Sequence, residues 1–124
     1  MSKKIIKINR GDSYSFGVRI PMFDSTAENY ILTDKDVLYF AIMHPHQRFE
    51  DAILIKGYTY EDQDIETGEF NIKVTPNDTR DLSPGVYYYT VKLQRGGTIE
   101  IVSDFDEPEE VRTIIERTKF IINE

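Results

Sequence analysis

His44-Pro45-His46 holds the only two histidines in the chain. Imidazoles two residues apart on an extended segment can share a metal ion. A tight site needs three or four ligands, held in turn by outer partners, and the sequence marks no third ligand here. Proline between the pair favours a turn, so a solvated loop is the better reading. A second candidate is Asp62-Gln63-Asp64-Ile65-Glu66-Thr67-Gly68-Glu69. Its carboxylates at alternate positions resemble the start of a calcium loop. The glycine stands seventh instead of sixth, Lys73 occupies the twelfth position, and Ile65 is badly placed in an oxygen cage. A solvated turn again reads better. The acidic run Asp104, Asp106, Glu107, Glu109 and Glu110 reads as a charged loop, with contact to a basic neighbour as its functional alternative.

The chemistry of an enzyme is harder to place. Ser13, Ser15, Ser25, Ser83 and Ser103 lack a nucleophile-elbow context, and Gly96-Gly97 stands before a strand-like run instead of opening a phosphate-binding helix. No catalytic residue, no cofactor and no metal site is expected. Tyr88 is different in kind. Facing solvent, it would be an interface anchor, since tyrosine offers a large contact area at low entropic cost. Facing a covered sheet surface, it would be a cross-strand partner. The sequence leaves both readings open.

The elements that carry these residues are strands. Residues 79–97 contain a Pro84-Gly85 turn, then alternation of Tyr87, Tyr89, Val91 and Leu93 with Tyr88, Thr90, Lys92 and Gln94, and then Gly96-Gly97 as a tight reversal. Residues 13–20 alternate in the same way, with Tyr14, Phe16, Val18 and Ile20 on one face, and Gly17 marks a bulge or a close approach. Residues 37–43 are apolar on both faces, which suits a central strand covered on both sides. Strands are also expected over residues 4–8, 52–58, 70–75, 98–103 and 119–123. Residues 21–34 read as a long loop, with room for a short strand near 30–32. Residues 109–117 fit either one short helix, with acids early and a base late, or an extended segment. Short strands with turn signals between them predict an all-β sandwich of about seven to nine antiparallel strands in one domain. Its core should be lined by Tyr14, Phe16, Val18, Leu38, Phe40, Ile42, Phe70, Ile72, Val74, Tyr87, Tyr89, Val91 and Leu93.

Composition bounds the rest. The chain has 124 residues, no cysteine and a net charge of −7. That excludes a disulfide framework and disfavours a nucleic-acid partner bound through a basic face. No apolar run approaches a membrane span of about 20 residues. The opening Met-Ser-Lys-Lys-Ile-Ile-Lys-Ile reads as a mature start and not as a signal peptide.

Asp81-Leu82-Ser83-Pro84-Gly85-Val86-Tyr87-Tyr88-Tyr89 resembles the tyrosine corner of immunoglobulin-like domains, with Tyr87 in the corner role, its hydroxyl expected to bond backbone near residues 78–81, and Tyr89 where antibody domains keep a cysteine. Cysteines and a core tryptophan are missing, so the chain is not of the antibody type. The wider order resembles the immunoglobulin-like modules of bacteriophage structural proteins, such as the N-terminal domain of phage baseplate upper proteins. The resemblance is carried by Gly11-Asp12 before a strand, Val37-Leu38-Tyr39-Phe40-Ala41-Ile42, Ile53-Leu54-Ile55-Lys56-Gly57, Gly68-Glu69-Phe70-Asn71-Ile72-Lys73-Val74, the spacing Thr79, Leu82, Gly85, Tyr87, Tyr89, and a closing strand around residues 113–122. It implies an immunoglobulin-like sandwich in a virion, made in the bacterial host cytoplasm. The partners implied are other phage structural proteins and further copies of itself, with no nucleic acid and no membrane. Phe120, Ile121 and Ile122 cannot all face one core, so they join Tyr88 as expected interface residues. The competing reading is a carbohydrate- or receptor-binding module, for which Tyr30, Tyr58 and Tyr60 are the candidate stacking residues.

Overall fold

The computed structural model describes residues 4–20, 30–95 and 110–124. The Gly96-Gly97 reversal, the strand expected over 98–103, most of the acidic run over 104–110 and the loop 21–29 lie outside them. The described residues form seven strands: β1 Ile6–Asn9, β2 Tyr14–Arg19, β3 Val37–Met43, β4 Leu54–Tyr58, β5 Glu69–Val74, β6 Gly85–Arg95 and β7 Glu110–Asn123. A one-turn helix, α1 Pro76–Thr79, and single 3-10 turns at Phe49–Asp51 and Tyr60–Asp62 connect them.

One sheet has the order β1-β7-β6-β3-β4 and the other is the pair β2-β5. Two sheets of mostly antiparallel strands thus face each other as an all-β sandwich, and their order can be compared with the immunoglobulin plan. β3, β6 and β7 hold the C, F and G places, β4 extends that sheet beside C, and β2 and β5 are the B–E pair facing it. Alternation explains the inner faces. Phe70, Ile72 and Val74 of β5 are buried between the exposed Glu69, Asn71 and Lys73. Together with Val18 and Ile20 they pack on Leu38, Phe40, Ile42, Tyr87, Tyr89, Val91 and Leu93 of the larger sheet. Tyr14 and Phe16 join this core half-buried. Tyr89 is its aromatic centre, 5.9 Å from Phe16, 6.0 Å from Phe40 and 6.3 Å from Phe120, ring centre to ring centre.

One feature differs from expectation, and one alternative left open by the sequence is decided. The sandwich is not wholly antiparallel, because β1 pairs parallel with β7, Ile6 beside Phe120 and Ile8 beside Ile122. β1 is not joined to its neighbour by a hairpin; the chain turns at Gly11, with a φ of 85°, and crosses to the facing sheet. The C-terminal region also holds no helix among its described residues, since 110–123 form one strand paired with β6 from Arg95–Glu110 to Gly85–Ile122. The register shifts near Val91, where β7 carries extra residues. Such bulges break the two-residue period. That is why Ile114, Ile115 and Thr118 are spaced like a helical face while lying in a strand.

β3 is buried at every position. Its inner side chains enter the main core. Its outer ones, Val37, Tyr39, Ala41 and Met43, form a second cluster with Phe49, which the segment after β3 folds back over the sheet.

Where the two sheets part, Lys56 of β4 reaches across to the facing sheet. Its ammonium lies 2.6 Å from the Asp78 carboxylate and donates to the Lys73 carbonyl at 2.7 Å. Asp78 also caps α1 by accepting from the Thr75 N–H at 2.7 Å. Burial alone would raise the Asp78 pKa, but Lys56 and Thr75 outweigh it and hold the group below its ordinary 3.8. A carboxylate with a lower pKa folded than unfolded stabilises the fold above the unfolded value. It loses that contribution as pH falls through the folded value. Asp78→Asn keeps a capping oxygen but removes the charge, and should cost about 1–3 kcal/mol near neutral pH. In urea denaturation the gap to wild type should close as pH drops below about 4. A gap that stays constant down to about pH 3 would mean the ion pair contributes nothing.

Candidate functional site

The histidine loop is built as a cover for the sheet. The His44 N–H donates to the Gln47 side chain at 2.9 Å, and the His44 ring packs on Tyr87 with centres 5.2 Å apart. Arg117, on β7, donates to the carbonyls of Pro45 and Gln47. These contacts seat Phe49 against Tyr39, edge to face at 6.1 Å, with the Lys92 ammonium 4.9 Å from the Phe49 ring centre. Among the described residues no group of three or more His, Cys, Asp or Glu side chains is placed to hold a metal ion.

Two carboxylates of the 62–69 loop, those of Asp62 and Asp64, are turned onto their own backbone. Asp62 accepts from the Thr59 N–H at 2.9 Å, and Asp64 accepts from the Glu66 and Thr67 N–H groups at 2.9 and 3.3 Å. The residue of consequence is Gln63, which sequence reasoning passed over. It is buried. Its side-chain oxygen accepts from the Leu32 N–H, and its amide nitrogen donates to the carbonyls of Tyr30 and Gly68, each at 2.9 Å. Asp36, also buried, accepts from the Tyr30 hydroxyl at 2.6 Å and the Thr33 N–H at 3.0 Å. Burial, then the Asp36 bond, push the Tyr30 phenol above its ordinary pKa against the pull of Arg95. The guanidinium of Arg95 lies 5.1 Å from the Tyr30 ring centre. This end of the sandwich is therefore a closed polar lattice. A single buried Asp or Gln carries no periodic signal, and Asp36 looked only like part of a turn.

The tyrosines separate by role. The Tyr87 hydroxyl donates to the Ser83 carbonyl at 2.6 Å, four residues upstream. The acceptor expected from the sequence lay at 78–81. That stretch is wound into α1 and the turn after it, where Leu82 N–H bonds the Thr79 carbonyl, so Ser83 is the nearer one. The Tyr89 hydroxyl donates to the Lys4 carbonyl. Burial, with Tyr14 nearby, raises its pKa and keeps it a donor. Tyr88 is half-buried against the outer cluster around Tyr39 and Met43, its covered-face reading. Tyr58 packs on Phe70 and accepts from the Lys73 N–H, so of the three proposed sugar-stacking rings only Tyr60 is well exposed.

No family model matches this chain, and neither a curated protein nor a solved structure was found to match it.

Of the residues 120–122, Phe120 and Ile122 are core and correct the expectation that they meet a partner. Alternation turns only Ile121 outward, half-buried beside Val86 and Lys7. Among the described residues two surfaces stand out as places for contact with other molecules. One is a groove of about 550 Å³ between β2 and the β1–β7 seam, floored by Ile6, Phe16 and Tyr89 and rimmed by Lys4 and by Arg19, which pairs with Glu69 at 3.5 Å. The Glu69 carboxylate fills the space a side chain at Gly17 would need, 2.6 Å from an ideal Cβ, so the close approach marked by Gly17 is that of a side chain. The other surface is the pair of outer edges of the larger sheet, at β1 and β4.

Tyr87→Phe removes one hydrogen bond and should lower stability by about 1 kcal/mol with the fold kept. Gln63→Leu strands two buried backbone groups and a part-buried third and should cost more, about 2–4 kcal/mol. Denaturation midpoints for the two variants check the order, and a Gln63→Leu midpoint equal to wild type would refute the lattice.

Proposed function

We propose that this chain is a non-enzymatic structural component of a bacteriophage virion, tail-, baseplate- or head-associated, which acts through protein–protein assembly contacts. The reading rests on the ordered strand pattern from Ile5 to Ile122 that resembles phage immunoglobulin-like modules. The observation that supports it best is Tyr87. Its hydroxyl bonds back to the backbone at the start of β6 in a sandwich whose strand order follows the immunoglobulin plan. Several polar groups of the loops, among them Asp62 and Asp64 that the sequence singled out, are spent on backbone. Asp62, Asp64, Gln63 and Asp36 hold turns, and His44 and Arg117 hold the segment over the outer face. The partners proposed are other phage structural proteins and further copies of the chain, in a particle assembled in the bacterial host cytoplasm. Fold alone does not assign function, so the test is direct. Sedimentation of the purified chain with other components of a phage particle should show co-migration, weakened by salt where charged loops form the rim of the contact. A chain that binds no particle component and is retained on a glycan array would overturn the proposal in favour of carbohydrate recognition.

A further inference from the structure

We infer that the two outer edges of the five-stranded sheet are the two halves of one contact, so that copies of the chain join head to tail with β1 of one protomer paired to β4 of the next. The inference rests on the assembly reading above and specifies its surface.

Among the described residues neither edge has a strand on its far side. An unpaired edge presents a row of backbone donors and acceptors, and proteins govern what such an edge meets with charge. Here the charges differ in sign between the edges. β1 is flanked and crossed by Lys4, Lys7 and Arg10, all exposed. Arg10 meets Glu124 at 3.6 Å, an exposed pair that leaves both groups in water. β4 is bracketed by acids, Glu50 and Asp51 before it and Glu61 and Asp62 after it, all exposed. Arg48 serves both Glu50 and Asp51, at 3.9 and 3.2 Å, so that end keeps a negative excess. Like edges repel, and unlike edges attract.

The topology supplies the direction. β1 is parallel to β7, and every further step through β6 and β3 to β4 is antiparallel. β1 therefore runs opposite to β4. Copies set side by side in the same orientation meet as an antiparallel pair, the better of the two geometries. Placing Ile8 opposite Leu54 keeps the core-facing residues of both strands on one side of the joint sheet, because Leu54 shares a face with Ile42 of the main core. In that register Lys7 lies opposite Ile55, Lys4 opposite Tyr58 and near Glu61, and Arg10 opposite Ala52 and beside Asp51. Both ends of the pairing match a base to an acid. Such a heterologous contact uses two different surfaces and builds rings or filaments instead of closed two-fold dimers.

Light scattering or sedimentation velocity at low salt tests this with two charge-reversed variants, Lys4→Glu with Arg10→Glu, and Glu50→Lys with Glu61→Lys. Wild type should self-associate beyond a dimer, and more weakly at high salt. Each variant alone should associate more weakly by on the order of tenfold or more. An equimolar mixture should regain assembly, since the acidic β1 edge of one variant then meets the basic β4 edge of the other. That recovery would also show that both variants are folded. A wild type that stays monomeric at low salt, a reversed variant that assembles as wild type does, or a mixture that stays monomeric would each overturn the inference. A monomeric chain that still binds other particle components would overturn this contact and leave the assembly reading standing.

Discussion

A strand with no polar position must be covered on both faces, and β3 imposes that constraint on the whole molecule. Val37–Met43 is buried throughout. Its inner row is met by the β2–β5 pair. The outer row faces a side of the larger sheet that the smaller sheet does not reach. The chain solves this locally: the segment leaving β3 doubles back, and Phe49 closes over Tyr39 and its neighbours. The proline between the histidines, the Arg117 bonds to the loop carbonyls and the Lys92 ammonium near Phe49 all serve that cover. The segment that begins at the histidine pair thus supplies, through Phe49, the second wall of the core.

The sandwich's ends follow a related logic. Wherever a connection passes from one sheet to the other, backbone groups leave the ladders and need partners. Gln63 and Asp36 supply them at one end, and Thr79, which accepts from the Gly11 N–H at 3.1 Å, supplies one at another crossing. Lys56 and Asp78 bridge the open side where β4 overhangs β5. Side chains here replace the ladder bonds that two parting sheets cannot make.

How much of this could be read from the sequence depended on whether a residue belonged to a period. β2, β5 and β6 alternate without interruption, so their faces and core members were legible, Tyr87 and Tyr89 among them. The double-sided burial of β3 was legible because an unbroken apolar run has few other uses. β7 was legible over its last residues, 119–123, but over 109–117 its spacing fitted a helix as well as a strand, because bulges there break the two-residue period. The parallel pairing of β1 was hidden because orientation depends on which strand ends up beside it, a property of topology and not of any local residue. Gln63 and Asp36 were hidden for the opposite reason: each acts alone. Alternation required that at least one of Phe120, Ile121 and Ile122 turn away from the core, but it does not by itself say which; the register beside β6 and β1 turns only Ile121 outward.

The pairing of β1 with β7 also sets an order in time. Ile6 lies beside Phe120, so this seam closes a loop that contains nearly the whole described chain. Closing so long a loop costs chain entropy that only later contacts repay, and sheets with distant partners fold slowly for that reason. During synthesis β1 leaves the ribosome long before β7, so the edge of β1 that pairs with β7 stays open until then. The hairpin-like contacts of β3 with β4 can form while the chain is still being made. The β1–β7 seam is thus the natural last step of folding and, by the same token, the place where an unfinished molecule would expose the edge of β7.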